Sequence, residues 1–466
     1  MVLAAGLGKR MKSKTIKVLH SVLGRPILLW TVAAARAAGI NRIVTVVGQK
    51  RAEVERVLGD TVEYVEQSTP LGTGHAVMQT APLLATTKAD VLVLYGDTPL
   101  LLPSTISALL EAHRAAGAAA TVLTARVPDP TGYGRIQRDP AGGLAGIVED
   151  ADATPEQKRI DEINTGIYVF NPGALYPALE KLKPANAQGE YYLTDVIGML
   201  KRQGLAVQAL EAASPDEVLG VNDRRQLAEA ARILRERILA SHMINGVTVV
   251  DPASTFIGPD VTIAPDATIQ PFCILEGRSS VGEGAVIGPG SYLRDTAVGP
   301  GARVVYSYVE ESEIGPDCSV GPYAHLRPGS VLEEGAKVGN FAEIKNTRVG
   351  RLAKIPHHSY VGDATIGQRV NVGAGVVFVN YDGVSKHHTD VEDDAFLGCN
   401  TNLVAPVRIG REAYTAAGST INEDVPDGAL AIARARQVNK EGYVARLKAR
   451  YRAQAKNAGG REEVNQ

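Results

Sequence analysis

The sequence predicts two different folds in one chain of 466 residues: an open, mostly parallel α/β sheet over residues 1–221 and a parallel β-helix over residues 246–437. Strand-like and helix-like stretches alternate in the first part, as they do in a sheet covered by helices. In the second part, an aliphatic residue returns every six positions from Ile257 to Ile421, and a small residue often follows four places later. Hexapeptide coils have this period, whereas an α-helix and an alternating strand do not.

The elements of the chain can be assigned in order. We expect strands over residues 2–5, 42–47 and 91–95, and helices over 27–38 and 52–58. Ligands of such sheets bind beyond the carboxyl ends of the strands. An amphipathic linker helix is expected over 222–245, before the β-helix. The basic tail, residues 438–466, is expected to be a helix that frays at Gly459-Gly460, and it is either a solvated end or a functional arm.

Composition excludes several classes of protein. The formal net charge of -2 gives no bulk attraction to nucleic acid or to an anionic membrane, and no apolar run reaches transmembrane length. Three cysteines cannot build a disulfide framework. Cys273 and Cys318 fall at inward, small positions of the β-helix, while Cys399 falls at an outward one. We therefore expect a reducing, cytoplasmic compartment.

Glycine-rich loops and cations follow the predicted strands of the α/β part. Gly6 and Gly8 let backbone N–H groups approach a phosphate, and Arg10 and Lys17 add positive charge. Asp97 follows the strand 91–95, where it could hold Mg²⁺ against phosphate oxygens or simply cap the next segment. With further loops at 71–75, 131–135 and 164–166, the pattern suggests a nucleotide and a second, polar ligand.

Outward polar residues on the β-helix suggest a second site. Arg327 and Lys345 each follow an inward aliphatic residue and are 18 residues apart, so they should stack one coil apart, at about 4.8 Å. Like charges so close repel unless an anion such as a phosphate lies between them, although both cations could simply be solvated. His357 also points outward, and Ala374 falls in the same column one turn later.

Two readings of His357 follow from this placement. It is either an ordinary surface histidine or a general base with room for a ligand beside it. The ladder then breaks, and residues 380–386 must leave the coil as a loop, which is where function tends to lie.

Motifs that occur in order along the chain resemble a known family. Leu3-Ala-Ala-Gly-x-Gly-x-Arg-Met, Lys17-Val-Leu-His, Leu71-Gly-Thr-Gly-His, Tyr95-Gly-Asp and Gly132-Tyr-Gly-Arg are similar to motifs of the sugar-1-phosphate nucleotidyltransferases. Together with Glu162-Ile-Asn-Thr-Gly, Gly189-Glu-Tyr-Tyr-Leu-Thr-Asp, Gly220-Val-Asn and the ladder, they make the chain resemble the bifunctional N-acetylglucosamine-1-phosphate uridylyltransferases / glucosamine-1-phosphate N-acetyltransferases. Gly339-Asn-Phe, Asn371-Val-Gly-Ala-Gly and Asn380-Tyr-Asp-Gly resemble the acetyltransferase half of that family.

The resemblance implies a Rossmann-like nucleotidyltransferase domain and a left-handed parallel β-helix. It also implies roles for residues of the first half. Asp97 and Asn222 would hold Mg²⁺, and Arg10 and Lys17 would neutralise the phosphates. The uridine nucleotide and the sugar would be bound by Leu3, Ala4, Ala5, Gly6, Lys17, Gln67, Gly72, Thr73, Tyr95, Gly96, Gly134, Glu149 and Asn164.

For the β-helix, the resemblance implies that His357 is the general base, assisted by Glu343 and Asn380. The sugar phosphate would be bound by Arg327, Lys345, Tyr360, Asn371 and Lys386. Acetyl-CoA would lie against Ala374, Asn380, Tyr381, Cys399, Ala417 and Arg434. The sequence departs from the family at Lys9 and Cys399, where Thr and Ser are usual, and at Thr15-Ile16, where Leu-Pro is usual.

The implied function is the synthesis of UDP-N-acetylglucosamine. Glucosamine 1-phosphate is acetylated from acetyl-CoA, and the product is coupled to UMP from UTP with release of pyrophosphate. A homotrimer without nucleic-acid or membrane partners is implied as well. Two alternatives stay open: a single-activity pyrophosphorylase whose β-helix is only a trimerisation stalk, and a scaffold that catalyses nothing. A stalk has no use for an outward Arg327, Lys345 and His357.

Overall fold

The computed structural model describes residues 1–6 and 8–459. The chain forms two compact units, Met1–Glu310 and Glu311–Gln466. The first unit contains the α/β sheet, the linker helix and the first coils of the β-helix, and the second contains later coils and the tail. The predicted division of the chain into functional domains, with boundaries at residues 221 and 246, stays a prediction.

The α/β sheet of the first unit has nine strands, seven of them in the order β11-β7-β10-β6-β1-β4-β5. Up to residue 211 the strands are β1 (Val2–Ala4), β2 (Ser21–Val22), β3 (Arg25–Pro26), β4 (Val44–Val47), β5 (Glu63–Glu66), β6 (Val91–Tyr95), β7 (Ala120–Arg126), β8 (Arg135–Arg138), β9 (Leu144–Val148), β10 (Glu162–Phe170) and β11 (Val207–Glu211). Strand β10 runs antiparallel to β6 and β7, and the hairpin β8–β9 joins β10. The remaining neighbours in that order are parallel, as predicted.

Helices cover both faces of this sheet, because alternate strand residues enter different cores. Val2 and Leu92 belong to one cluster, whereas Leu3 and Val93 belong to the other. The helices are α1 (Ile27–Ala37), α2 (Arg51–Leu58), α3 (Thr73–Met78), α4 (Ala81–Leu84), α5 (Pro103–Ala115), α6 (Pro172–Leu179), α7 (Thr194–Arg202) and α8 (Arg224–Ile244). The predicted helices and strands are all present, with ends that differ by no more than two residues.

The linker helix α8 begins after Asp223, whose carboxylate accepts the backbone N–H groups of Arg225 and Gln226. This is an ordinary N-cap. Because the helix begins there, Asn222 lies outside it, on the loop that reaches the sheet, and not at its first turn as the predicted range implied.

The later strands of the first unit form parallel coils. They are β12 (Thr248–Val249), β13 (Phe256–Ile257), β14 (Thr262–Ile263), β15 (Thr268–Ile269), β16 (Ile274–Glu276), β17 (Ser280–Val281), β18 (Val286–Gly288), β19 (Tyr292–Arg294), β20 (Ala297–Val298), β21 (Arg303–Val305) and β22 (Tyr308–Glu310). Ile257 pairs with Leu275, and Ile269 pairs with Ile287, so one coil spans 18 residues there. Cys273 is fully buried, as its inward position predicted.

The second unit continues the hexapeptide pattern in its own sequence. Its elements are β23 (Glu313–Ile314), β24 (Ser319–Val320), β25 (His325–Leu326), β26 (Val331–Leu332), β27 (Lys337–Asn340), β28 (Glu343–Val349), β29 (Lys354–His357), β30 (Tyr360–Ile366), β31 (Asn371–Val372), β32 (Val377–Val379), β33 (Thr389–Val391), β34 (Phe396–Leu397), β35 (Asn402–Val404), β36 (Val407–Ile409), β37 (Tyr414–Thr415), β38 (Thr420–Ile421), β39 (Leu430–Ala431) and the tail helix α9 (Tyr443–Gly459). Leu326 pairs with Ile344 in parallel strands, which confirms the predicted 18-residue coil.

The loop between β32 and β33 leaves the coil as predicted. Phe378 is the last inward residue before it and is fully buried, whereas Val377 is exposed. The predicted fold class, a left-handed parallel β-helix after a Rossmann-like domain, is confirmed. The predicted fraying of the tail concerns Gly460, which is outside the described residues. Within the described part of the chain, none of the helices is both long and apolar enough to cross a bilayer.

Candidate active sites

A cavity of about 380 Å³ lies in the first unit, beyond the carboxyl ends of β1 and β6. Most of the residues expected to bind the nucleotide line it. They are Leu3, Ala4, Ala5, Gly6, Lys17, Gln67, Gly72, Thr73, Tyr95, Asp97 and Asn222. Gly96 supports this edge through its backbone N–H, which donates to the carbonyl of Leu3 at 2.9 Å. Arg10 is exposed and is not among the lining residues.

The loop after β1 packs tightly against Lys17. Gly8 has a φ of 67°, and a β-carbon placed there would overlap the β-carbon of Lys17. Both observations require glycine at this position. The Lys17 ammonium is thereby held over the cavity, where it donates to Asp97 Oδ2 and, at 3.0 Å, to Asn222 Oδ1.

Asp97 and Asn222 come together from distant parts of the chain. The carbonyl of Asp97 accepts the backbone N–H of Val221 at 2.9 Å, which fixes the two loops side by side. A carboxylate oxygen and an amide oxygen therefore converge on one cation, the Lys17 ammonium. Such hard oxygen ligands suit Mg²⁺, which binds one or two protein groups and completes its shell with water and phosphate. The donor set fits the predicted metal.

The residues expected to hold the sugar form a second cluster near the cavity. A β-carbon on Gly134 would lie 3.4 Å from Glu149 and from the β-carbon of Asn164, so glycine leaves room between them. Asn164 donates to the hydroxyl of Tyr168 at 2.8 Å. Burial and then nearby carboxylates, Asp195 among them, raise the pKa of Glu149, although a hydrogen bond from Thr194 opposes this.

Threonines connect the sugar cluster to the cavity. Thr194 donates to Glu149 at 2.9 Å, and the backbone N–H of the preceding Leu193 donates to Thr73 Oγ1 at 3.1 Å. Burial raises the pKa of Tyr95, with Glu149 and Asp97 adding to the effect. Tyr95, which lines the cavity, therefore stays a neutral phenol.

In the second unit, Arg327 and Lys345 lie one coil apart, as the coil count predicted. The backbone N–H of Arg327 donates to Ile344, the residue before Lys345, at 2.8 Å. Each cation has a carboxylate partner: Arg327 lies 2.9 Å from Glu343, and Lys345 lies 3.6 Å from Asp363. The protein's own carboxylates therefore compensate part of the repulsion between the two cations, and the binding of a phosphate between them stays a prediction.

A third cation joins this group from the loop after β32. Lys345 lowers the pKa of Lys386 through a hydrogen bond and through its like charge. Lys345 pairs with the carboxylate of Asp363, and Lys386 is close enough to feel the charges of both groups. This excess of positive charge is what a phosphate dianion requires.

Asn380 and Tyr360 lie beside the same carboxylate. The Asn380 amide donates to Asp363 Oδ2 and, at 3.3 Å, to the hydroxyl of Tyr360. Glu343 pairs with Tyr360 across β28 and β30. The structure thus brings together Lys345, Tyr360, Asn380 and Lys386. Glu343 is on the same strand as Lys345, and Arg327 is one coil before it.

His357 projects from the end of β29 with one nitrogen engaged. Its Nδ1 lies 2.7 Å from Oδ1 of Asn340, the paired residue of β27. An amide oxygen only accepts, so Nδ1 carries the proton and donates it to Asn340. Nε2 is then the unprotonated nitrogen and can accept a proton.

A column of small residues continues from His357. The pairs Lys354–Asn371, Asn371–Phe396 and Phe396–Tyr414 set the register. The residues three positions after each of these paired residues are therefore aligned as well: His357, Ala374, Cys399 and Ala417. Three coil steps make the column about 14 Å long.

The far end of the column reaches a cation. A β-carbon on Gly418 would lie 3.7 Å from the side chain of Arg434. Cys399 and Tyr381 are both exposed. Four of the predicted acetyl-CoA residues, Ala374, Cys399, Ala417 and Arg434, therefore follow one another along the coil, whereas Asn380 lies beside Asp363. Asn371 lies apart from them, because its strand partner is Lys354, three residues and roughly 10 Å before His357.

Comparison with known proteins identifies the family. A family model described as nucleotidyl transferase matches residues 1–214, and one described as the GMPPB C-terminal domain matches residues 256–349. The "Bifunctional protein GlmU" of Geobacillus sp. is 50% identical over 96% of this chain and 97% of its own length, and that of Brevibacillus brevis is 51% identical over the same shares. The chain belongs to the GlmU family of bifunctional proteins.

This membership confirms the predicted family and the prediction of a bifunctional enzyme whose nucleotidyl transfer is metal-dependent and which uses acetyl-CoA. The chain is also similar to a UDP-glucose pyrophosphorylase solved with UDP-glucose, at 19% identity and a TM-score of 0.43, over 51% of this chain and 97% of that one.

Sequence reasoning missed several residues of this GlmU family member's sites. Glu190 lines the nucleotide cavity, Asn340 engages the imidazole of His357, and Asp363 joins the residues around Lys345. One signal was available for Asp363, since it lies in the five-residue step between Val361 and Ile366, where the hexapeptide period fails. Asn340 could have been found by counting one coil back from His357.

Proposed function

We propose that the two sites described above carry the two reactions of this enzyme, with the residue roles that the sequence predicted. The chain acetylates glucosamine 1-phosphate from acetyl-CoA, and it transfers UMP from UTP to N-acetylglucosamine 1-phosphate with release of pyrophosphate. The observation that carries the acetyl-transfer assignment is the contact of His357 Nδ1 with Asn340, which leaves Nε2 as a base.

In acetyl transfer, the sugar phosphate binds to Arg327, Lys345 and Lys386. The sugar amine attacks the thioester carbonyl of acetyl-CoA, a C–N bond forms, and the C–S bond breaks. His357 Nε2 takes the proton that the amine loses, and the CoA thiolate leaves and is protonated. A positioned base of this kind contributes about 10²- to 10⁴-fold in rate. The small column from Ala374 to Ala417 gives the pantetheine arm a place to lie.

In uridylyl transfer, Lys17 and Arg10 neutralise the charge of the phosphates while a phosphate oxygen of the sugar attacks the α-phosphorus of UTP. The O–P bond that forms replaces the bond to pyrophosphate. Asp97 and Asn222 would hold Mg²⁺, which would supply further positive charge at the phosphates. Positioning and charge neutralisation dominate such reactions, so a dedicated base is not required. Glu149, Asn164 and Gly134 bind the sugar.

We also propose that the chain works as a homotrimer in the cytoplasm. His357 and Cys399 are exposed, and Asn371 lies roughly 10 Å along its strand from the position aligned with His357, which favours a site completed between subunits. The cytoplasmic location rests on the cysteine usage. Sedimentation of the full chain tests the oligomeric state, and a monomer with full acetyltransferase activity would contradict the shared site.

Two variants test the assignment of the sites. His357→Ala should abolish thiol release from acetyl-CoA with glucosamine 1-phosphate and leave uridylyl transfer intact. Asp97→Ala should do the reverse, measured as Mg²⁺-dependent pyrophosphate release from UTP and N-acetylglucosamine 1-phosphate. Each variant is the folding control of the other. Loss of both activities in either variant would contradict two independent sites, and wild-type protein without thiol release would leave the β-helix as a stalk.

A further inference from the structure

Asp363 lies at the centre of the acetyl-transfer residues without having a role from the family resemblance. It is 8% exposed and has a φ of 53°, in the left-handed region that Asp tolerates better than most residues. Its Oδ1 accepts from Asn346 at 2.7 Å, and its Oδ2 accepts from Asn380 and lies 3.6 Å from the Lys345 ammonium. A carboxylate held on three sides has one orientation.

This carboxylate decides which end of the Asn380 amide faces the site. An ionised carboxylate can only accept, so the NH₂ end of Asn380 must point at Asp363. The same NH₂ group lies 3.3 Å from the hydroxyl of Tyr360. Its two hydrogens are thereby used, and among the residues that the structure describes no hydrogen bond engages the amide oxygen. That oxygen is the end left for an outside donor.

The local backbone is built around this arrangement. A β-carbon on Gly362 would overlap the Tyr360 hydroxyl and would lie 2.9 Å from the Asn380 amide nitrogen. Glycine before Asp363 is therefore what lets Tyr360 and Asn380 meet beside the carboxylate.

The charge balance supports a positioning role for the ionised form. Burial opposes the ionisation of Asp363, but hydrogen bonds from Asn346 and Asn380 and the charges of Lys345 and Lys386 outweigh it and lower its pKa. Asp363 pairs directly with Lys345 and attracts Lys386 by its charge, so one carboxylate faces two ammonium groups and one positive charge is left in excess. The carboxylate thus holds the phosphate site together without filling it.

We propose that Asp363 is a positioning residue for acetyl transfer: it turns the amide oxygen of Asn380 toward the amino group of the sugar and holds Lys345 for the phosphate. The inference rests on the proposed acetyl transfer at His357. An attacking amine is a donor, so the acceptor end of Asn380 is the end that the reaction needs. If Asn380 were flipped, its NH₂ group would face the amine and repel it.

The test is a double-mutant cycle in the full-length chain, using Asp363→Asn and Asn380→Ala. We expect Asp363→Asn to lower kcat for acetyl transfer by about tenfold or more and to raise KM for glucosamine 1-phosphate. KM for acetyl-CoA and the uridylyl-transfer rate should stay within about twofold. The kcat of the double variant should be no lower than that of Asn380→Ala within about threefold, because Asp363 acts on the amine through Asn380. Its KM for glucosamine 1-phosphate should still rise, because Asp363 holds Lys345 by a separate contact.

Asp394→Asn is the matched control. Asp394 also has a left-handed φ, 62°, and pairs with a cation, Arg369, but lies outside both sites. If Asp363→Asn misfolds, Asp363→Gly removes the carboxylate without strain at this φ and replaces it in the cycle. Effects of Asp363→Asn equal to those of Asp394→Asn would overturn the inference. So would losses of kcat that multiply in the double variant.

The two proposals fail in different ways. Wild-type protein that does not acetylate, or that does not need His357, defeats the proposed function and the inference with it. Wild-type activity that needs His357 and Asn380 but not Asp363 defeats only the inference.

Discussion

Asn340 is expected to set the protonation state of the catalytic imidazole, and its replacement tests this directly. Asn340 Oδ1 lies 2.7 Å from His357 Nδ1, and both side chains are on the surface. Asn340→Ala removes the acceptor. A neutral hydrogen bond is worth about 0.5–1.5 kcal/mol, so kcat for acetyl transfer should fall about 2- to 12-fold. The loss should be far smaller than that of His357→Ala, because the base itself remains.

Asn340→Asp should act in a different way. A carboxylate beside the ring favours the charged imidazolium of His357 over the neutral imidazole. The base works in its neutral form, so the variant should need a higher pH than the wild type to reach the same activity. The acid limb of the pH–rate profile should therefore move to higher pH, and activity should recover in alkaline buffer.

The assay is thiol release from acetyl-CoA at saturating glucosamine 1-phosphate, between about pH 5.5 and 9, for the wild type and both variants. Pyrophosphate release by the first site should be unchanged and serves as the folding control. An acid limb that stays in place in Asn340→Asp would refute the reasoning. So would an Asn340→Ala variant as inactive as His357→Ala.

Three further predictions concern other parts of the chain. Cys399→Ser should keep the rate of acetyl transfer within about threefold of the wild type, since direct attack by the amine needs no thiol. Cys399→Trp should block the column of small residues and raise KM for acetyl-CoA. An inactive Cys399→Ser variant would instead indicate that the Cys399 thiol is a nucleophile. Gly8→Ala should remove most of the uridylyl-transfer activity and spare acetyl transfer, because a β-carbon at Gly8 displaces Lys17. Equal rates of pyrophosphate release in variant and wild type would be inconsistent with the close packing of Gly8 against Lys17. Glu162 is 3% exposed and paired with Arg138, and although burial opposes ionisation, that pair lowers its pKa. Its pairing therefore stabilises the fold above about pH 4 and is lost as pH falls through the lowered pKa. Glu162→Gln should lower the free energy of unfolding by about 2 kcal/mol at pH 7, the worth of a hydrogen bond to a charged group, and by less near pH 3. Urea unfolding, monitored by the loss of uridylyl transfer, measures this, and a difference independent of pH would contradict the ion pair.

Periodic patterns made most of the architecture predictable. The hexapeptide ladder predicted the coil, and the coil predicted that Arg327 and Lys345 lie together and that Ala374 follows His357, because a regular repeat turns distance along the chain into position on a face. The strand 91–95 was predicted with its observed ends, Val91–Tyr95. Where the hexapeptide repeat breaks, site residues were harder to predict. The five-residue step at Asp363 was counted as an irregularity, although it places a carboxylate among the acetyl-transfer residues.

The sequence by itself determined the two folds, the family and most of the candidate site residues, because these depend on repeats and on motifs that are local in the chain. The tertiary structure decided which side chains meet. Asp97 lies 80 residues after Lys17 in the chain, and Asn222 lies 205 residues after it. Only the folded sheet brings the three side chains to one cavity. The tautomer of His357 and the orientation of the Asn380 amide likewise depend on hydrogen-bond partners, Asn340 and Asp363, that neighbouring coils supply. Hydrogen bonds need atoms within about 3 Å, and no local pattern specifies distances on that scale.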